Sequence, residues 1–229
     1  DPVYIEQVRA SLGLDQPVYV RYVNWLGKTL GGDLGFSLRT RRPVSPEVGD
    51  RLPNTLLLGV VSLALSFVVA VPIGVVSALK RYTPIDYVLS TVALAGISIP
   101  IFWIALLFIQ VFAIQLDWRP ASGMRSVRES YTGWRVSLDV AQHMILPTIT
   151  LSLAQIAGWS RYQRSALLEV LGQDYMRTAR SKGLRERRIL IVHALRNSLI
   201  PMVTLIGISV PTVVTGAFIT ETIFSWPGI

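Results

Sequence analysis

The 229 residues are 51% apolar and only 16% charged, with a formal charge of +8 at neutral pH. Because there is no cysteine, disulfide frameworks, thiolate metal sites and cysteine nucleophiles are excluded, and two widely separated histidines do not suggest an imidazole cluster. So basic a soluble chain would point to nucleic acid, but a mean hydropathy of +0.48 points to the bilayer instead.

From the amino terminus, Asp1-Pro2 could cap a short helix running to Leu12 and ending at Gly13. Pro17 to Leu30 reads as an amphipathic helix, with Val20, Val23, Leu30 and Trp25 set against Arg21 and Lys28. Gly31-Gly32 stops it, and its aromatics suit the headgroup belt. Arg39-Thr40-Arg41-Arg42-Pro43 is a basic loop, most simply a solvated or headgroup contact. The chain starts at Asp1 without a signal-like segment and stops just after a hydrophobic run, which reads as the middle of a longer protein.

Four apolar runs come next, at about 56–79, 87–116, 144–160 and 199–220. A helix needs roughly 20 apolar residues to cross the hydrocarbon core, so four runs predict an all-α, polytopic membrane protein. The second run is longer than required and predicts a tilted span. Every run carries helix-perturbing residues: Pro72 and Gly74, Gly96 and Pro100, Pro147 and Gly158, Gly207 and Pro211. These read either as kinks and close-packing sites or as hinges and pathway lining, with Pro100, Gln155, Gly207 and Pro211 as candidates for the second role.

Lys and Arg near the span ends set the orientation. Lys80 and Arg81 lie between the first two spans, and between the last two nine bases stand against Glu169, Asp174 and Glu186. Both loops are expected inside. Residues 1–52, with six acids against seven bases, and the loop from Asp117 to Gln142 are then expected outside.

Chemistry is sparse. No phosphate-cradling glycine loop, His-Glu-x-x-His or Gly-x-Ser-x-Gly occurs, so no catalytic residue is expected. No ionisable residue lies within a span interior; Asp86 and Glu221 stand at span edges. A charge at the bilayer centre costs at least about 2.5–3.5 kcal/mol, so a chain without one is poorly equipped as an ion-coupled carrier. No metal site is expected, and His143 and His193 read as packed or interfacial side chains.

The loop from Arg161 to Arg196 is the anomaly. Leu167, Leu168 and Leu171 form a stripe, Gly172 interrupts it, and Asp174 can cap a new helix. Tyr175, Ala179 and Gly183 then recur at i, i+4 and i+8, an aromatic knob with two small positions that suits a groove on another protein. Arg177, Arg180 and Lys182 surround it, and Gly183-Leu184 ends the helix. The plainer alternative is a basic helix lying on anionic lipid.

Asp174-Tyr175-Met176-Arg177-Thr178-Ala179-Arg180-Ser181-Lys182-Gly183-Leu184, with His193-Ala194-Leu195-Arg196-Asn197-Ser198-Leu199-Ile200-Pro201, resembles the loop signature of ABC importer permeases. It closely resembles the version in the dipeptide, oligopeptide and nickel branch. Arg177-Thr178-Ala179 replaces the general Glu-Ala-Ala and Ile200-Pro201 replaces Leu-Pro, both usual in that branch. Gly32-Asp33-Leu34-Gly35, Ser98 to Trp103, His143 to Pro147 and Phe224 to Ile229 extend the likeness.

The resemblance implies the type I ABC importer transmembrane fold in the cytoplasmic (inner) membrane of a bacterial-type cell. Residues 1–52 would be an extracytoplasmic segment and 53–229 the permease domain, with a coupling loop at 161–198 and one further span at each end. Residues Asp174 to Leu184 would form a coupling helix docked on a separate ATPase. The implied partners are a second homologous permease, two ABC ATPase subunits, an extracytoplasmic binding protein and membrane lipid, with no nucleic acid. ATP and magnesium would be held by the ATPases, with no cofactor in this chain. Peptide is the substrate expected, with nickel chelates or sugars as alternatives. From other classes, a stand-alone channel or secondary carrier would transport alone, and a membrane anchor with a lipid- or nucleic-acid-binding loop would tolerate changes at Ala179 and Gly183.

Overall fold

A computed structural model describes residues 16–38, 40–126 and 131–229, and for 212–216 the backbone alone. The helix expected up to Leu12 lies outside the described residues. The chain divides into two units, 1–51 and 52–229. In the first, α1 (Val18–Leu30) starts just after Pro17 and ends at Gly31, as a helix-compatible run between a proline and a glycine pair dictates. Its large side chains, including Val18, Tyr19, Val23 and Trp25, are exposed. A short turn brings Phe36 opposite Pro43 in an isolated bridge, and Asp33 and Ser45 cap its amides.

The second unit is helical throughout its regular structure. α2 (Val44–Leu79), whose first eight residues belong to the first unit, begins well before the apolar run and passes through Pro53 and Pro72 without a break. α3 (Pro84–Ser98) has proline in its first turn. α4 (Ile101–Phe108) continues as a π-helix from Ile109 to Gln115. α5 (Trp134–Leu171) is the longest element and also runs through an internal proline, Pro147. Two small elements, α6 (Asp174–Ser181) and α7 (Glu186–Arg188), precede a second π-helix, Ile189–Leu195. α8 (Arg196–Ser198), α9 (Ile200–Gly216) and α10 (Phe218–Ile223) complete the fold.

Among the described residues three stretches are long and apolar enough to cross a membrane: Val44–Leu79, Trp134–Leu171 and Glu186–Pro211. The run from Tyr87 to Leu116, expected as one tilted span, is instead two helices bent by 98° between Ser98 and Ile101. Pro100 is the cause. It lacks the N–H that would continue the ladder and pushes Ile99 to extended geometry, with ψ at 128°. Pro72, Pro147 and Pro211 do not end their helices, so of these prolines only Pro100 breaks a span.

Burial is inverted relative to a water-soluble protein. Val60, Val68, Val92 and Leu94 are exposed, whereas Thr55, Ser62, Ser66, Ser77, Ser152 and Ser160 are buried. Large aliphatics facing lipid lose nothing by exposure; small polar residues between helices let backbones approach. On α2 the residues Ser62, Ser66, Ala70 and Gly74 recur every fourth position, all buried. Ser152 Oγ of α5 donates to the Ser62 carbonyl at 3.1 Å. A Cβ on Gly74 would lie 2.6 Å from the Ser160 carbonyl oxygen and 2.7 Å from Gln163 Cβ, so only glycine fits this crossing of α2 and α5.

α5 is the central post. Met144, Leu146, Trp159 and Leu167 each enter a different apolar cluster, shared in turn with α2 and Trp226, with α4 and Phe224, with α2 and α9, and with α6. About three turns into α2, Trp226 Nε1 donates to the Asn54 carbonyl at 3.0 Å and Asn54 Nδ2 to the Pro227 carbonyl at 2.9 Å. Beneath that loop Glu221 is buried, its carboxyl filling the space a side chain on Gly228 would need. Burial raises its affinity for a proton above that of an ordinary carboxylate.

Candidate functional site

The segment from Gly172 to Ser198 sits at the end of the second unit that carries Lys80 and Arg81. α5 stops at Leu171, where the Gly172 and Gln173 amides turn back to the Glu169 and Val170 carbonyls. Gln173 takes extended geometry, so α6 starts afresh at Asp174, an acid placed on the positive end of the helix dipole. At its far end Leu184 N–H bonds the Ala179 carbonyl and Gly183 N–H the Arg180 carbonyl, with Gly183 at φ +73°. This is a Schellman termination, closed by Leu184 packing onto the apolar cluster that holds Ala179.

That cluster is the floor under α6. Met176 and Ala179 enter it from α6, Ala78 from α2, Leu167 from α5, and Ile189 and Ala194 from the π-helix. The expected docking face of Tyr175, Ala179 and Gly183 therefore does not stand together. Ala179 is 7% exposed and turned into the floor, and Gly183 lies beyond the helix end in the left-handed cap. Only Tyr175 of the three is an exposed side chain. Met176 and Ala179 share a face at i and i+3, as Tyr175 and Ala179 do at i and i+4, so spacing alone does not decide which way Ala179 turns. The exposed face is instead Asp174, Arg177, Thr178 and Ser181, flanked by Tyr175, Arg180 and Lys182. Arg177 and Asp174 approach at 3.6 Å, and Arg180 Nε meets Glu186 at 3.0 Å. Exposed pairs of this kind contribute little to stability.

One turn back along α5 lies an arrangement to which the sequence pattern gives no weight. Arg164 reaches the Asp86 carboxylate with Nε and Nη2, both at 2.8 Å. Tyr82 N–H donates to the same carboxylate at 3.0 Å, and the Ser77 hydroxyl donates as well. Asp86 is 3% exposed. The adjacent Gln163 donates from Nε2 to Ser198 Oγ at 2.9 Å. Asp86 is legible in sequence only as a lone acid at a span edge, because its partner is 78 positions away.

The pathway candidates scatter. Pro100 is at the break before α4 and is exposed, as is Gly207 on α9. Gln155 lies on α5 with its Oε1 buried and without a hydrogen bond in the structure. Pro211 is inside α9. His143 is a packed histidine: its Nδ1 lies 2.9 Å from the Asp139 carbonyl and 3.3 Å from the Asp139 carboxylate. Asp139 in turn accepts from Ser126 N–H and Oγ, at 2.8 and 2.7 Å, which ties the loop before α5 to its first turns. Among the described residues no group of three or more His, Asp or Glu is placed to hold a metal.

The sequence that builds this helical bundle matches a family model. Residues 70–229 fit the model for the binding-protein-dependent transport system inner membrane component. The chain belongs to that family. It is 42% identical to the oligopeptide transport system permease protein AppB of Bacillus subtilis, over 98% of this chain and 70% of that protein. It is 41% identical to the dipeptide transport system permease protein DppB of Escherichia coli K12, over 97% of this chain and 71% of the relative. The glutathione transport system permease protein GsiC of E. coli is 38% identical over the whole chain and 70% of its own length. This permease therefore has the type I ABC importer transmembrane fold and resides in the inner membrane.

Proposed function

We propose that this permease forms part of the pathway of an ATP-driven peptide importer and receives its driving force through α6. The observation that carries the reading is the placement of α6: polar outside, and fixed from below by Met176 and Ala179 on a floor built from α2, α5 and the π-helix. Its exposed Asp174, Arg177, Thr178 and Ser181, with Tyr175 beside them, are the surface offered to an ATPase on the cytoplasmic side. Two ABC ATPase subunits hold ATP and magnesium there, a second homologous permease completes the pathway, and an extracytoplasmic binding protein delivers substrate. The names of the relatives, an oligopeptide, a dipeptide and a glutathione permease, favour short peptides as cargo. Moving a two-state pathway from 1:99 to 99:1 takes about 5.5 kcal/mol of differential binding, which a helix can deliver only when rigidly joined to the spans.

The test is reconstitution of the full-length permease with its partner subunits in proteoliposomes. ATP-dependent uptake of a labelled dipeptide or oligopeptide supports the reading, and Arg177→Glu is expected to lower uptake roughly tenfold while the spans still insert. Uptake by the permease alone, without ATP, would establish the channel or carrier alternative in its place.

A further inference from the structure

The turn of α5 from Gln163 to Leu167 is attached in three directions. Gln163 bonds Ser198 of α8, Arg164 bonds Asp86 in the first turn of α3, and Leu167 enters the floor beneath α6. The Asp86 joint is the most constrained of these. A guanidinium fork on a carboxylate fixes rotation as well as distance, which a single lysine contact would not. The carboxylate is further held by Tyr82 N–H and the Ser77 hydroxyl, so it cannot follow the arginine without carrying the α2–α3 turn along. Arg164 and the floor residue Leu167 lie on one uninterrupted helix, since α5 ends only at Leu171.

We propose that the Asp86–Arg164 pair is the joint through which displacement of α6 is passed to the α2–α3 hairpin. Both are positioning residues for transport and touch neither cargo nor nucleotide. The proposal rests on the reading of α6 as the ATPase-docking helix. A pair that merely held the fold would, when broken, lower the amount of assembled complex and leave each assembled complex working normally. A joint, when broken, leaves ATP hydrolysis running while transport falls behind it.

The experiment uses the full-length permease in its assembled transporter, in proteoliposomes with the binding protein and a labelled peptide. Asp86→Asn and Arg164→Gln are compared with the wild type and with the double variant, reading ATPase subunit per permease, ATP hydrolysis and peptide moved per ATP. Each single variant is expected to keep its ATPase subunits yet lose roughly tenfold in peptide per ATP, and the double variant to lose no more than either single. Ser77→Ala, which removes one hydrogen bond from the carboxylate, is read in the same way should a charge variant fail to assemble. Uptake and hydrolysis falling in proportion, or losses that multiply in the double variant, would overturn the joint while leaving the α6 reading intact. A wild-type complex without ATP-driven uptake overturns both.

Discussion

At the scale of single residues, what matters at the α2–α5 crossing is the absence of a side chain. Gly74 lies where an added Cβ would meet a backbone oxygen at 2.6 Å, and backbone cannot move aside as a flexible side chain can. Gly96 offers a built-in control, since a Cβ there would meet only Ala157 Cβ at an ordinary 3.4 Å. Gly74→Ala is therefore expected to cost about 1–3 kcal/mol through overpacking. Gly96→Ala is expected to be near neutral. Thermal unfolding of the detergent-solubilised transporter, followed by loss of monodisperse complex, separates the two. Equal melting temperatures would mean that the crossing is looser than its geometry.

At the scale of elements, sequence and structure agree where one local device decides and part where packing decides. Pro17 and Gly31 bracket α1 at the bounds their backbone chemistry predicts. Apolar runs disclose the spans, yet α2 and α5 extend beyond them through Glu47, Arg51, Arg135 and Asp139, charged residues at which an apolar run ends but a helix need not. Asp139 is in fact buried, its charge met by Ser126, a contact no local pattern announces. The expected α6 face fails because small size resembles a docking feature, whereas Ala179 is small in order to pack. Gly183, by contrast, has open space around it, so its requirement is conformational rather than steric. A left-handed residue with a Cβ costs roughly 1–2 kcal/mol, and asparagine bears that conformation better than alanine. Gly183→Ala is expected to loosen the α6 terminus and lower transport more than Gly183→Asn. Faster amide exchange over residues 174–184 in the alanine variant is the accompanying signature. An alanine variant indistinguishable from wild type in both readouts would show that the cap does not matter to transport.

For the molecule as a whole, the excess of positive charge is a statement about sidedness. Nine basic residues between Arg161 and Arg196, with Lys80 and Arg81 beside them, are held at one end of the second unit by a single apolar floor. Positive residues in short loops are retained in the cytoplasm, so the α6 end is expected to face inward and the loop after α4 outward. The absence of cysteine from these 229 residues makes this directly measurable, because a single introduced thiol is the only one among them. Ser181 on the exposed face of α6 and Ser122 in the loop after α4 are both exposed. In intact spheroplasts a membrane-impermeant maleimide is expected to label Ser122→Cys and to spare Ser181→Cys. In inverted vesicles stripped of ATPase the pattern reverses, and adding the ATPase back protects Ser181→Cys again. Sidedness and docking are thereby read independently. Labelling of Ser181→Cys from outside would refute the orientation, and undiminished labelling with ATPase bound would refute the α6 face while leaving the orientation standing.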